Sequence, residues 1–167
     1  LVAIAAIGFD YGRLMAMNSE LKNAADQAAL AAATQLDGRD DAMIRARNAA
    51  NNTFANAASP FVNETRIAND GQGRAITSLN FTFYDSYEDD EPGNEITSDA
   101  EGASAKVVKV TVNARKVYYA LTPVVDAITS GDVLADAMAM LNRAVCKLPP
   151  MMVCVDRSDF PMPTDRG

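Results

Sequence analysis

Histidine and tryptophan are both missing from the 167 residues, and aromatic residues make up only 7%. Without His the chain lacks the commonest general base and the commonest metal ligand, which counts against an enzyme before any motif is read. A nucleophile elbow and a phosphate-binding loop are missing too. Basic residues are scattered, at Arg45, Arg47, Lys106, Lys109, Arg115 and Lys116, against a net charge of −7 and a pI near 4.5. Such a chain repels a nucleic-acid backbone on average, so nucleic acid is not an expected partner. No opening apolar run reaches the roughly 20 residues that a bilayer core demands.

Cysteine is scarce as well. Cys146 and Cys154 flank Lys147-Leu148-Pro149-Pro150-Met151-Met152-Val153. The prolines bend the chain back and bring the two cysteines toward disulfide range, which implies an oxidising compartment such as the periplasm or cell surface. The alternative is a pair of reduced thiols in a cytosolic loop. Zinc is disfavoured, because two thiolates without His leave only carboxylates to complete the shell.

What is present is apolar in an unusual way. Apolar residues make up 49% of the chain, but Ala and Met supply much of that share, and Ala buries little area. The core of any compact part therefore rests on the Val, Ile, Leu, Phe and Tyr residues after position 75. The length fits one domain plus an extended element.

The chain opens Leu1-Val2-Ala3-Ile4-Ala5-Ala6-Ile7-Gly8-Phe9, without an initiator Met. As a helix these residues span about 13 Å, too short to cross a bilayer alone. The segment reads as the C-terminal half of a spanning helix whose first half lies upstream, as a segment that buries itself in a multi-subunit bundle, or as an ordinary core helix. The helix continues to about Gln35, with Leu14, Met17, Leu21, Ala24, Ala28 and Ala31 on one stripe at spacings of three and four. Seven of the ten residues from Ala24 to Ala33 are alanine, the strongest helix former and one that lets a neighbouring backbone approach closely. Asp37-Gly38 supplies the stop. A rod this long exceeds what the remaining chain is expected to cover, so part of it must find lipid or another protein.

Asp40 to about Ala58 reads as a second helix, joined to the first as a hairpin or at a sharp bend, with Met43, Ala46 or Arg47, Ala50, Phe54 and Ala57 along one side and Ser59-Pro60 at its end. Asn63 to Gly73 reads as a loop. The period then changes to two: Leu79–Tyr84 is one strand and Ala105–Ala114 a second, with Val117–Leu121 extending or following it. Asp85 to Gly102 reads as a long acidic hairpin loop between them. Thr122-Pro123 opens a short helix over 123–128. Asp132 to about Arg143 alternates weakly, and its Ala and Met also suit a helix, but a third strand is favoured, since two strands alone bury no stable face. The expected fold is α+β: a long, pilin-like N-terminal helix, a second helix and a small antiparallel β-sheet. Residues 1–36 are taken as the membrane or assembly helix and 37–167 as an extracytoplasmic domain.

Gly8-Phe9-Asp10-Tyr11-Gly12-Arg13-Leu14, followed by Leu21-Lys22-Asn23-Ala24-Ala25-Asp26-Gln27-Ala28-Ala29-Leu30-Ala31-Ala32-Ala33, resembles the TadE/TadG-like proteins of Tad (Flp) pilus systems. Those proteins carry an apolar anchor running into D-x-G-R and then an L-Q-N-A-A-D-A-A-A-L-A-A-A stretch. Lys22 in place of Gln is the main departure. The likeness is strong over residues 8–38 and looser beyond. It implies an envelope-anchored, pilus-associated or minor-pilin-like protein that builds or anchors adhesive surface fibres. Many TadG-like proteins also carry a von Willebrand A-like region. This chain has no Asp-x-Ser-x-Ser pattern, so metal-dependent adhesion does not carry over. Type IV pilins usually place Glu where this chain has Ala5.

The candidate sites follow from these readings. Leu1, Ile4, Ile7, Leu14, Met17, Leu21, Ala24, Ala28 and Ala31 are the expected packing and assembly residues. Asp10 and Arg13, one turn apart, are either an interfacial ion pair or a pair that sets register with a neighbouring subunit. Asp85, Glu88, Asp89 and Asp90 could offer oxygens to calcium, but without EF-hand spacing they read better as a solvated loop. Asn51-Asn52-Thr53, Asn63-Glu64-Thr65 and Asn80-Phe81-Thr82 match the glycosylation sequon by chance. The expected function is a non-enzymatic structural component of a Tad-type pilus or surface filament, without cofactor. Its partners are further copies or other pilus components, with the inner membrane before assembly. A calcium-dependent adhesion module of the envelope is the alternative.

Overall fold

The computed structural model describes residues 2–55, 64–65, 73–76, 78–121 and 130–141. Helix α1, Val2–Ala33, is uninterrupted for 32 residues. The first proline of the chain is Pro60, and the Ala-rich second half offsets the helix cost of Gly8 and Gly12. Its end tightens into i→i+3 bonds: Gln35 N–H donates to the Ala32 carbonyl at 3.0 Å and Leu36 N–H to that of Ala33 at 3.1 Å. Gly38 then takes φ +84°, a left-handed conformation that glycine adopts without strain. Helix α2, Ala42–Ala55, packs back along α1 through Ala42, Met43, Ala46 and Ala50. Arg45 ties the joint, reaching Asp37 at 2.5 Å and Asp41 at 3.1 Å.

The sheet has the order β4-β1-β5-β6, with β1 Leu79–Tyr84, β4 Glu95–Ile96, β5 Val107–Tyr118 and β6 Ser130–Met140; all its pairings are antiparallel. Phe81 and Phe83 lie opposite Val110 and Val108, and Val108, Val110 and Val112 lie opposite Ala139, Ala137 and Ala135. This face packs on α1 and α2 in one hydrophobic core. A bulge between Val112 and Arg115 shifts the alternation and turns Arg115 inward, where it donates to the carbonyls of Gly73 and Ala75. The α+β architecture, with its long first helix, second helix and small antiparallel sheet, is the one expected.

One expectation differs from what is observed. The stretch from Asp85 to Gly102 is not one long loop. It holds a small hairpin, β2 Tyr87–Glu88 with β3 Glu91–Pro92, then β4 on the sheet edge, then a 3-10 helix, Asp99–Ser104. Asp89 and Asp90, at φ +51° and +64°, make the hairpin turn, a conformation Asp tolerates better than most residues. Strands of two residues carry no readable period, so composition alone pointed to a loop. The buried residues of α1 and Leu36 share one core cluster with the sheet valines. Pro123 to Ile128 lie outside the described residues, as do Ser59-Pro60.

Candidate functional site

The row of assembly residues divides in two. Met17, Leu21, Ala24 and Ala28 are fully buried in the chain's own core, and Leu14 and Ala31 are half-buried. Within the single chain these residues are covered without lipid or a partner. At about 3.3 Å per residue, the 12 residues of β5 and 11 of β6 span more than the roughly 30 Å of helix from Leu14 to Ala33, so the sheet is long enough to carry it. Ile4 and Ile7 are different: they are 74% and 53% exposed. Leu1 lies outside the described residues.

Around Ile4 and Ile7 the helix is apolar and open. Phe9 is 55% and Tyr11 61% exposed, and Met15 is exposed too. A Cβ added at Gly8 or Gly12 would meet nothing, so both glycines look out from the fold. Among the described residues no helix is long and apolar enough to cross a membrane.

Where this open segment joins the body, Asp10 and Arg13 hold the helix to a distant stretch of main chain. Asp10 is 1% exposed and accepts the N–H groups of Ala120 at 2.8 Å and Leu121 at 2.9 Å. Arg13 Nη1 donates to the Tyr118 carbonyl at 3.2 Å. These partners are backbone groups at the end of β5 and in the corner after it. Next to them Gly131 on β6 leaves room for Leu14 and Tyr119: a Cβ there would lie 2.7 Å from Leu14 Cδ1 and 2.6 Å from the Tyr119 hydroxyl. Sequence reasoning missed Tyr118 to Leu121. The available signal was that Asp10 falls on the buried stripe with Ala6 and Met17, so its carboxylate needed donors from somewhere in the chain.

The acidic residues do other work. Asp85 accepts from Asn94 N–H at 2.9 Å, Asn94 Nδ2 at 3.0 Å and Ser86 Oγ at 3.0 Å, and these bonds, Asn94 first, hold its carboxyl below the usual range. Glu88, Asp89 and Asp90 are exposed at the hairpin tip. Among the described residues no group of three or more His, Cys, Asp or Glu side chains is placed to hold a metal. Asp37 is likewise held low, chiefly by the Arg45 guanidinium. Cys146 and Cys154 lie outside the described residues. Tyr87, Val107, Met138, Ala139 and Met140 line a shallow groove of about 200 Å³ on which no set of polar side chains converges.

The open apolar segment is thus anchored to the body of the fold by Asp10 and Arg13. No curated protein and no solved structure matches the chain. Residues 1–35, essentially the whole of α1, are similar to the Tad family model, described as putative Flp pilus-assembly TadE/G-like.

Proposed function

We propose that this chain is a structural, non-enzymatic component of a Tad-type (Flp) pilus or related surface filament, assembling through the N-terminal half of α1. One coincidence carries the reading. The residues that match the pilus-assembly model are also those that leave Ile4, Ile7, Phe9 and Tyr11 in solvent. Fully burying a side chain of this size is worth about 1.5–3 kcal/mol, so covering all four gives a strong drive to associate.

In this reading the sheet and second helix form a head outside the cytoplasm, and the helix tip engages other copies or other pilus components. Before assembly the same tip rests in or against the inner membrane. A Cys146–Cys154 disulfide fits that compartment. The test is deletion of the chain from its host, with surface fibres scored by negative-stain microscopy and adherence measured alongside. Loss of fibres, restored by the wild-type chain, is expected. Normal fibres and adherence in the deletion strain overturn the proposal. Antibody labelling then separates a polymer, decorated along its length, from an anchor found only at the fibre base.

A further inference from the structure

The two edges of the sheet differ in length: β4 offers two residues at one side, and β6 offers eleven, Ser130–Met140, at the other. Among the described residues no strand pairs with the far side of β6. A very short edge protects itself, whereas a long one presents a row of N–H and C=O groups to any strand that approaches. The usual defences are also missing from β6. It contains no Pro, Lys or Arg, and the register shift at Val112/Arg115 places its extra residue on β5, so β6 stays regular. Its exposed side chains alternate with the buried Val133, Ala135 and Ala137. Leu134 is 57% exposed, and Met138, Met140 and the following Leu141 are exposed too. Asp132 and Asp136, in the same exposed set, stand 3.8 Å from Lys116 and 3.2 Å from Lys109 of β5, which offset their charge.

We infer that β6 pairs antiparallel with β6 of a second copy of this chain, about a two-fold axis through Ala137, joining two four-stranded sheets into one. The pattern of the strand picks both the occupant and the register. Residues directly opposite in an antiparallel pair point to the same face. The alternation of exposed and buried side chains therefore requires the axis to pass through a residue, not between two. An axis at Ala135 sets Leu134 against Asp136, and an axis at Asp136 sets that carboxylate against itself. An axis at Met138 carries Leu134 past the end of the partner copy's strand, and axes further toward either end shorten the overlap. At Ala137, Leu134 meets Met140 of the partner copy on the exposed face, and Val133 meets Leu141 on the other, each twice by symmetry. Met138 and Met140 line the shallow groove beside this edge, so Leu134 of the partner copy lies at its rim. A strand whose apolar residues match its own reverse selects a copy of itself over an unrelated strand. This contact leaves the α1 segment from Ile4 to Met15 to its own partners and does not rest on the pilus reading.

The test combines sedimentation velocity with backbone amide exchange over a dilution series of the purified full chain. A concentration-dependent association is expected, with exchange in β6 slowing as it forms and recovering on dilution. Leu134→Lys and Met140→Glu each replace an exposed side chain, so unchanged thermal melts are expected. Each removes two cross-strand apolar pairs from the dimer and is expected to weaken it about tenfold. The double variant opposes the two new charges across the axis and is expected to dimerise within about threefold of wild type. Association that leaves β6 exchange unchanged, as contact through α1 alone would, overturns the inference. So do single variants that pair as tightly as wild type, or a double variant no tighter than the single ones. A monomer whose β6 amides exchange freely at every concentration overturns it, since the edge is then open to some other chain. A monomer whose β6 amides are slow at every concentration overturns it too, because a segment of the same chain then covers the edge.

Discussion

Asp10 places a carboxylate on the buried stripe of α1, and the Ala120 and Leu121 N–H groups stand in for the water it has lost. Removing the side chain leaves two donors in a half-buried corner without their acceptor. Asp10→Ala is therefore expected to lower stability by about 2 kcal/mol or more, and Asp10→Asn by roughly half as much, because one oxygen survives. Urea denaturation followed by circular dichroism measures both, and equal stability of Asp10→Ala and wild type would remove the anchoring role. Asp37 gives a pH signature. Its carboxyl lies below the ordinary value of 3.8 because Arg45 donates to it. A lowered folded value means the contribution is fully present above pH 3.8 and is lost as pH falls through the lower folded value. Acid unfolding of Asp37→Asn should then lack that part of the pH dependence, and a profile identical to wild type below pH 4 would refute it.

At the scale of elements, α1 is one helix with two environments. Leu21→Ala removes packing inside the core and is expected to cost about 2–5 kcal/mol, whereas Ile7→Ala should leave the stability of the single chain within about 0.5 kcal/mol. Thermal melts of the two variants decide whether the division near Leu14 is real. At the junction, Gly131→Ala pushes a methyl toward Leu14 and Tyr119 and is expected to cost about 1–3 kcal/mol by overpacking. An unchanged melt would mean that these side chains move aside freely. Much of this layout was legible in the sequence. The Ala run and the absence of proline before Pro60 marked α1, and the alternation of Val108, Val110 and Val112 with Lys109 and Thr111 marked β5. What was not legible depended on distant partners. Periodicity says which face of α1 is apolar, but not that β6, a hundred residues on, is long enough to cover it. The two-residue strands β2, β3 and β4 are held by a turn and by pairing to neighbours, and neither leaves a periodic trace.

For the whole molecule, the division of α1 sharpens the functional reading. The alanine-rich half of the helix, which looked like the assembly surface, is the spine of the fold, and small side chains there let α1 lie close to both the sheet and α2. In the proposed function, the part left for partners is the short segment from Ile4 to Met15, tied to the fold by Asp10 and Arg13. The central claim is that this segment, and not the Met17–Ala28 row, is covered on assembly. Hydroxyl-radical footprinting of native fibres before and after dissociation tests it directly, because Tyr11, Met15 and Met17 are all reactive side chains within two turns of one helix. The account predicts that Tyr11 and Met15 pass from protected to oxidised on dissociation while Met17 stays protected in both states. Oxidation of Met17 on dissociation, with Tyr11 equally reactive before and after, would contradict it.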